Sequence, residues 1–118
     1  MIADFNKRTG RNLTAEIEPG TFLVANAGVL VSEVIDIMST NKEAGGHDFI
    51  KLNTGLNDVT RPALYGAQHS IKFFTQSQQS TVTKPYVIVG HCCESGDLLT
   101  CEPGDSNELR EMQVPENV

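Results

Sequence analysis

No apolar run in this sequence approaches the ~18 residues that a membrane-spanning helix needs. The opening Met1-Ile2-Ala3-Asp4-Phe5-Asn6-Lys7-Arg8 has no apolar core of a signal peptide. Cysteine is scarce. Three residues, two of them adjacent, make a poor disulfide framework and point to a reducing compartment. Basic charge is scarce as well: 9 Lys and Arg stand against 15 Asp and Glu, which removes the electrostatic footprint of a nucleic-acid binder. There is no internal repeat, no phosphate-cradling glycine loop and no Ser-His-Asp pattern. These absences leave a soluble, cytoplasmic chain with neither nucleic acid nor membrane as partner. At 118 residues and 39% hydrophobic it is one domain by length, able to bury a modest core.

What is present reads as mostly β. Val34–Met38 and Asp48–Leu52 are strands joined by the polar turn Asn41–His47, which suggests a hairpin with His47 solvated. His69–Phe74 is a further strand, followed by a polar loop over 75–84. Tyr86–Gly90 is an apolar, β-branched run and reads as a buried strand. Leu98–Glu102 is a short strand, Pro103–Asn107 a turn, and 108–118 is polar and fades out. Between these, Pro62 excludes regular sheet, so Arg61-Pro62-Ala63-Leu64-Tyr65-Gly66 is expected to present Arg61 and Tyr65 from irregular backbone.

The first 32 residues read differently. Met1–Asn12 looks like the tail of a helix stopped at Thr9-Gly10. Leu13–Ile17 alternates and suggests a short strand ending in the turn Glu18-Pro19-Gly20-Thr21, where Gly20 permits close approach of a ligand. Phe22–Ser32 carries apolar residues suited to a buried helix, with Thr21 as its N-cap. The domain expectation is therefore 1–32 as one βα unit and 33–118 as a β-domain.

The candidate chemistry lies where the Tyr86 strand runs out into His91-Cys92-Cys93-Glu94-Ser95-Gly96-Asp97. A rigid strand ending in a polar loop is where reactive groups tend to sit. A thiol among carboxylates suits proton donation better than nucleophilic attack, because attack needs the thiolate. Adjacent cysteines on an extended segment point to opposite sides. No ligand pair has the two-residue spacing of a zinc site, so no metal is expected. From the residues alone, plainer readings stay open. Cys92 and Cys93 could be ordinary half-buried cysteines, Glu18 a solvated carboxylate, Arg61 a surface cation and Tyr65 a core aromatic.

Cys93-Glu94-Ser95-Gly96-Asp97, with Glu18-Pro19-Gly20 and Arg61–Gly66 in the same order, resembles the pyridoxal-phosphate-dependent amino-acid decarboxylases of the diaminopimelate and ornithine decarboxylase superfamily. The likeness is strongest to the diaminopimelate branch, and it covers nearly the whole chain but only the later part of such an enzyme. The resemblance implies a C-terminal β-barrel-like domain of a fold-type III enzyme, preceded by the last βα unit of a (β/α)8 barrel. It implies pyridoxal 5'-phosphate as cofactor, with Glu18 pairing with the pyridine nitrogen and Gly20 beside the cofactor. Cys93 would reprotonate the α-carbon, Arg61 and Tyr65 would bind substrate, and Glu94 would read its distal amino end. The implied reaction is conversion of meso-diaminopimelate to L-lysine by a homodimer with shared active sites. Thr21 stands where many members carry arginine, which leaves room for ornithine, arginine or carboxynorspermidine as substrate. A non-catalytic, dimerising β-module is the alternative of another class. None of the five lysines lies where the family places its cofactor-anchoring lysine, so this chain alone is expected to be inactive.

Overall fold

The computed structural model describes all 118 residues. The chain divides into two compact units, residues 1–31 and 32–118.

In the first unit, helix α1 (Ile2–Thr9) stops at Gly10, whose left-handed backbone (φ 66°) lets its N–H reach the Asn6 carbonyl. The Asn6 side chain then brackets Leu13, donating to its carbonyl at 2.9 Å and accepting from its N–H at 3.0 Å. That pair of bonds takes up the backbone groups of Leu13, and no strand forms over 13–17. Glu18-Pro19 leads into a single 3₁₀ turn, Gly20–Leu23, and the expected helix over 22–32 does not continue beyond it. Thr21, Val24, Val29 and Val31 are weak helix formers and Gly28 interrupts them. An amphipathic helix draws its stability from a packed face, whereas here Phe22 is 87% and Val29 91% exposed.

The second unit holds the sheet. Strands β1 (Val34–Ser39) and β2 (Asp48–Leu52) form the expected hairpin, with Ile37 opposite Ile50. Its connection needs the left-handed Asn41 (φ 64°) and Gly45 (φ 83°). β2 pairs in parallel with β3 (Thr83–Val89), Ile50 beside Ile88, so residues 53–82 form the crossover. β3 then pairs antiparallel with β6 (Met112–Pro115), giving the order β1-β2-β3-β6. A separate hairpin joins β4 (Cys101–Glu102) to β5 (Asp105–Leu109).

β3 is buried on both faces, which accounts for its unbroken apolar run. Tyr86 and Ile88 pack with Ile50 and Val114 on one side. Val87 packs with Leu98 and Cys101 on the other. The loop that follows β3 therefore starts from a buried strand end.

Several expectations for this unit are corrected. The strand expected over Leu98–Glu102 is limited to Cys101–Glu102, and the turn expected over Pro103–Asn107 is cut short because β5 begins at Asp105. Residues 69–74 form no strand, yet the alternation holds: Ile71 and Phe73 pack on the core while Phe74 is 91% exposed. The segment lies against the core without a ladder partner. The tail over 108–118 does not fade out; β6 lies in it, with Val114 fully buried. Arg61–Tyr65 is a helical turn, α2, because Pro62 occupies its first turn, where a missing N–H costs nothing. His47 is not simply solvated: it stands edge-on to Phe49, and its Nδ1 lies 3.1 Å from Glu111 Oε1. Lys42 reaches the same carboxylate at 3.4 Å, and the two partners hold the Glu111 carboxyl below its ordinary value.

Candidate active site

The loop leaving β3 is closed by backbone bonds. Gly90 N–H donates to the Asp97 carbonyl (2.9 Å), and Asp97 N–H to the Glu94 carbonyl (3.1 Å). At its centre is the Asp97 side chain, only 3% exposed. One oxygen accepts from the Leu56 N–H at 2.6 Å and the other from the Cys92 N–H at 2.7 Å. The carboxylate thus joins two loops, 55–58 and 90–97. Glycine is required on both sides of it. A Cβ at Gly55 would lie 2.6 Å from Asp97 Oδ2, and one at Gly90 would overlap the same group.

The two cysteines lie in a bend rather than on an extended segment, and they differ in exposure. Cys92 turns inward, its Sγ 3.4 Å from Asn57 Oδ1. Burial, and then the neighbouring Asp97 carboxylate, push its thiol pKa up, so it stays a neutral donor. Cys93 is exposed. Glu94 is also exposed, and its Oε1 accepts from Ser95 Oγ and Gly96 N–H, both at 3.2 Å, which fixes its direction. Below the loop lies an open cleft of about 410 Å³, with Met38, Phe49, Val89 and Leu98 as apolar walls and Lys51 and Glu94 as polar ones.

α2 supplies the second group of expected residues. Helical i,i+4 spacing sets the Arg61 guanidinium over the Tyr65 ring, 5.3 Å from its centroid. Both side chains are exposed, and Arg61 makes no ion pair. The helix is anchored from behind. Pro62 is buried, and its carbonyl accepts from Cys101 Sγ at 3.5 Å. Gly66, left-handed at φ 59°, lies against Gly104 and Asp105, where any Cβ would collide. No hydrogen bond joins the Arg61–Tyr65 pair to Cys93 or Glu94; the 55–58 loop that Asp97 holds leads into the helix carrying that pair. Glu18 and Gly20 belong to the first unit. Glu18 is exposed, and a Cβ on Gly20 would meet only open space.

A pyridoxal phosphate group needs an anchoring lysine and donors for its phosphate. Lys42 is paired with Glu111, at 3.4 Å, and Lys84 with Glu116. Lys7 and Lys72 are exposed. Lys51 lines the cleft, but the Cys92 N–H beside it is taken by Asp97, and the Asp97 and Glu94 carboxylates stand where a phosphate would need donors. Gly20 forms no cradle. These residues therefore do not make a cofactor site by themselves. Glu18 presents an exposed carboxylate, Cys93 an exposed thiol and Arg61 a guanidinium without an ion pair.

Residues 4–116 match the family model of the pyridoxal-dependent decarboxylase C-terminal sheet domain. The chain belongs to this family, and its mainly β second unit is the fold expected of it. Among individual relatives, the diaminopimelate decarboxylase of Escherichia coli K12 is 37% identical over 109 residues, covering 90% of this chain and 25% of the relative. That of Zymomonas mobilis is 46% identical over 90 residues, 76% of this chain and 20% of the relative. A crystal structure of diaminopimelate decarboxylase superposes with a TM-score of 0.75 at 32% identity, covering 97% of this chain and 26% of that one. The chain spans about a quarter of the length of the relatives it matches.

Asp97 reads in the sequence only as one more loop carboxylate, and nothing there singles out Asn57. The available signal was the pair of glycines, Gly55 and Gly90, each preceding a segment that the same acid holds.

Proposed function

We propose that this chain is the sheet-domain part of a pyridoxal-phosphate-dependent amino-acid α-decarboxylase that converts meso-diaminopimelate to L-lysine and carbon dioxide. The observation that carries the reading is the Asp97-held loop, which presents Cys93 and Glu94 to solvent from the end of the best-buried strand. The names of the relatives, at 37–46% identity, support the same substrate. When bound, the cofactor supplies the electron sink for loss of carbon dioxide.

The chain's own residues then have distinct tasks. Cys93 Sγ holds the proton that replaces the departing carboxylate on the α-carbon. Arg61 offers a planar fork to the substrate carboxylate that is retained, and an unpaired guanidinium is free to do so. Tyr65 holds that fork in place by lying beneath it. Glu94 accepts from the distal amino group, Glu18 keeps the cofactor's pyridine nitrogen protonated, and Gly20 keeps the turn after it clear. Residues 1–32 are the end of the cofactor-binding barrel. The enzyme is a cytoplasmic homodimer, with the Cys93 loop serving the partner's cofactor.

The test is a substrate panel on the complete enzyme carrying this chain, read as carbon dioxide release. Turnover of meso-diaminopimelate well above ornithine and arginine is expected. Preference for either of the others would overturn the substrate assignment, and no turnover of any would favour the non-catalytic module.

A further inference from the structure

We infer that Asp97 is the positioning residue of this site: its carboxylate, clamped between two backbone N–H groups, sets where Cys93 and Glu94 stand. The inference rests on the decarboxylase reading of that loop. Asp97 is buried and has no cationic partner. A buried charge is costly unless it is well hydrogen-bonded, so the two short bonds from Leu56 and Cys92 are what make it tolerable. A carboxylate is an acceptor only, and both of its oxygens are used as acceptors. Asparagine, of the same shape, would turn an N–H₂ toward one of those N–H groups and break one side of the clamp.

The clamp also has a direction. Cys92 N–H is the last backbone donor held before Cys93; after it, Gly96 N–H bonds the Glu94 side chain and Asp97 N–H bonds the Glu94 carbonyl. Cys93 and Glu94 therefore sit on a short span fixed at both ends by one residue. The Leu56 bond ties that span to the 55–58 loop, three residues before the Arg61 helix. Gly55 and Gly90 leave no slack around the carboxylate, because a side chain on either would displace it.

The test uses two variants of the complete enzyme. Asp97→Asn keeps shape and loses one acceptor. Gly55→Ala keeps the acid and pushes it aside. Misplacing a reacting group by about 1 Å costs on the order of 10²-fold, so both variants should lose about 10- to 100-fold in kcat per folded, cofactor-loaded enzyme, with KM changed less than about twofold. Independently of activity, hydrogen exchange in peptides covering Leu56 and Cys92 should quicken at least about tenfold, while peptides from β3 stay protected. Cys93→Ala is measured alongside. If Cys93→Ala is impaired but either folded variant keeps full kcat and slow exchange at Leu56 and Cys92, the positioning role of Asp97 is wrong. If Cys93→Ala itself is fully active, the underlying reading of the loop fails instead.

Discussion

Replacing Thr100 by valine tests the argument for the scaffold at its most constrained point. The Thr100 hydroxyl is fully buried and accepts from the Ile88 N–H at 2.8 Å. The Ile88 carbonyl in turn accepts from the N–H groups of Leu99 (3.0 Å) and Thr100 (3.3 Å). Ile88 stands one residue before the end of β3 and is itself fully buried, so water cannot substitute for the lost hydroxyl. Valine preserves the branched shape and creates almost no cavity, which isolates the polar contribution. Leaving one buried donor unsatisfied costs about 1–3 kcal/mol. For a domain of this size each kcal/mol lowers Tm by roughly 4–8 °C. Thermal and urea unfolding should therefore show a loss in this range, with an unchanged urea m-value. Exchange of the Ile88 amide should accelerate selectively. A variant as stable as the parent, with Ile88 still protected, would refute the claim that Thr100 completes the β3 ladder.

Two further outcomes are expected. Arg61→Lys should raise KM for the amino-acid substrate by tenfold or more while cofactor content, read by absorbance, stays unchanged, because an ammonium cannot form the bidentate contact; loss of cofactor would place Arg61 elsewhere in the mechanism. The Glu111 carboxyl is held low by His47 and Lys42, so its contribution to stability is present above its unfolded value and is lost as pH falls through its folded one. Acid unfolding of Glu111→Gln should accordingly depend less on pH below the ordinary carboxylate range, and an unchanged profile would remove this cluster from the pH response.

The parts of the fold that were legible in the sequence carry strong local signals. Tyr86–Val89 is apolar without interruption because β3 is covered on both faces, and the β1–β2 hairpin is announced by its polar turn. Features that depend on distant partners were not legible. β6 shows only Met112 and Val114 among polar neighbours, and it becomes a strand because β3 is there to pair with it. The helix α2 was hidden by a proline that is unfavourable in a sheet but acceptable in a first turn. The expected helix over 22–32 failed in the opposite way, since its apolar spacing has no packed face to act on within its own unit. Of the candidate site, the cysteine loop and the Arg61–Tyr65 pair were readable as motifs. The acid that fixes the loop was not, because its role lies in bonds to a residue 41 positions away.

The most direct measurement compares Cys93→Ala with Cys92→Ala in the complete enzyme. Cys93 is exposed at the tip of the held span, whereas Cys92 faces Asn57. A general acid contributes about 10²–10⁴-fold, so kcat of Cys93→Ala should fall within that range and Cys92→Ala should change it by less than about threefold. The opposite ranking, with Cys92→Ala the more damaging, would contradict the assignment of the α-proton to Cys93.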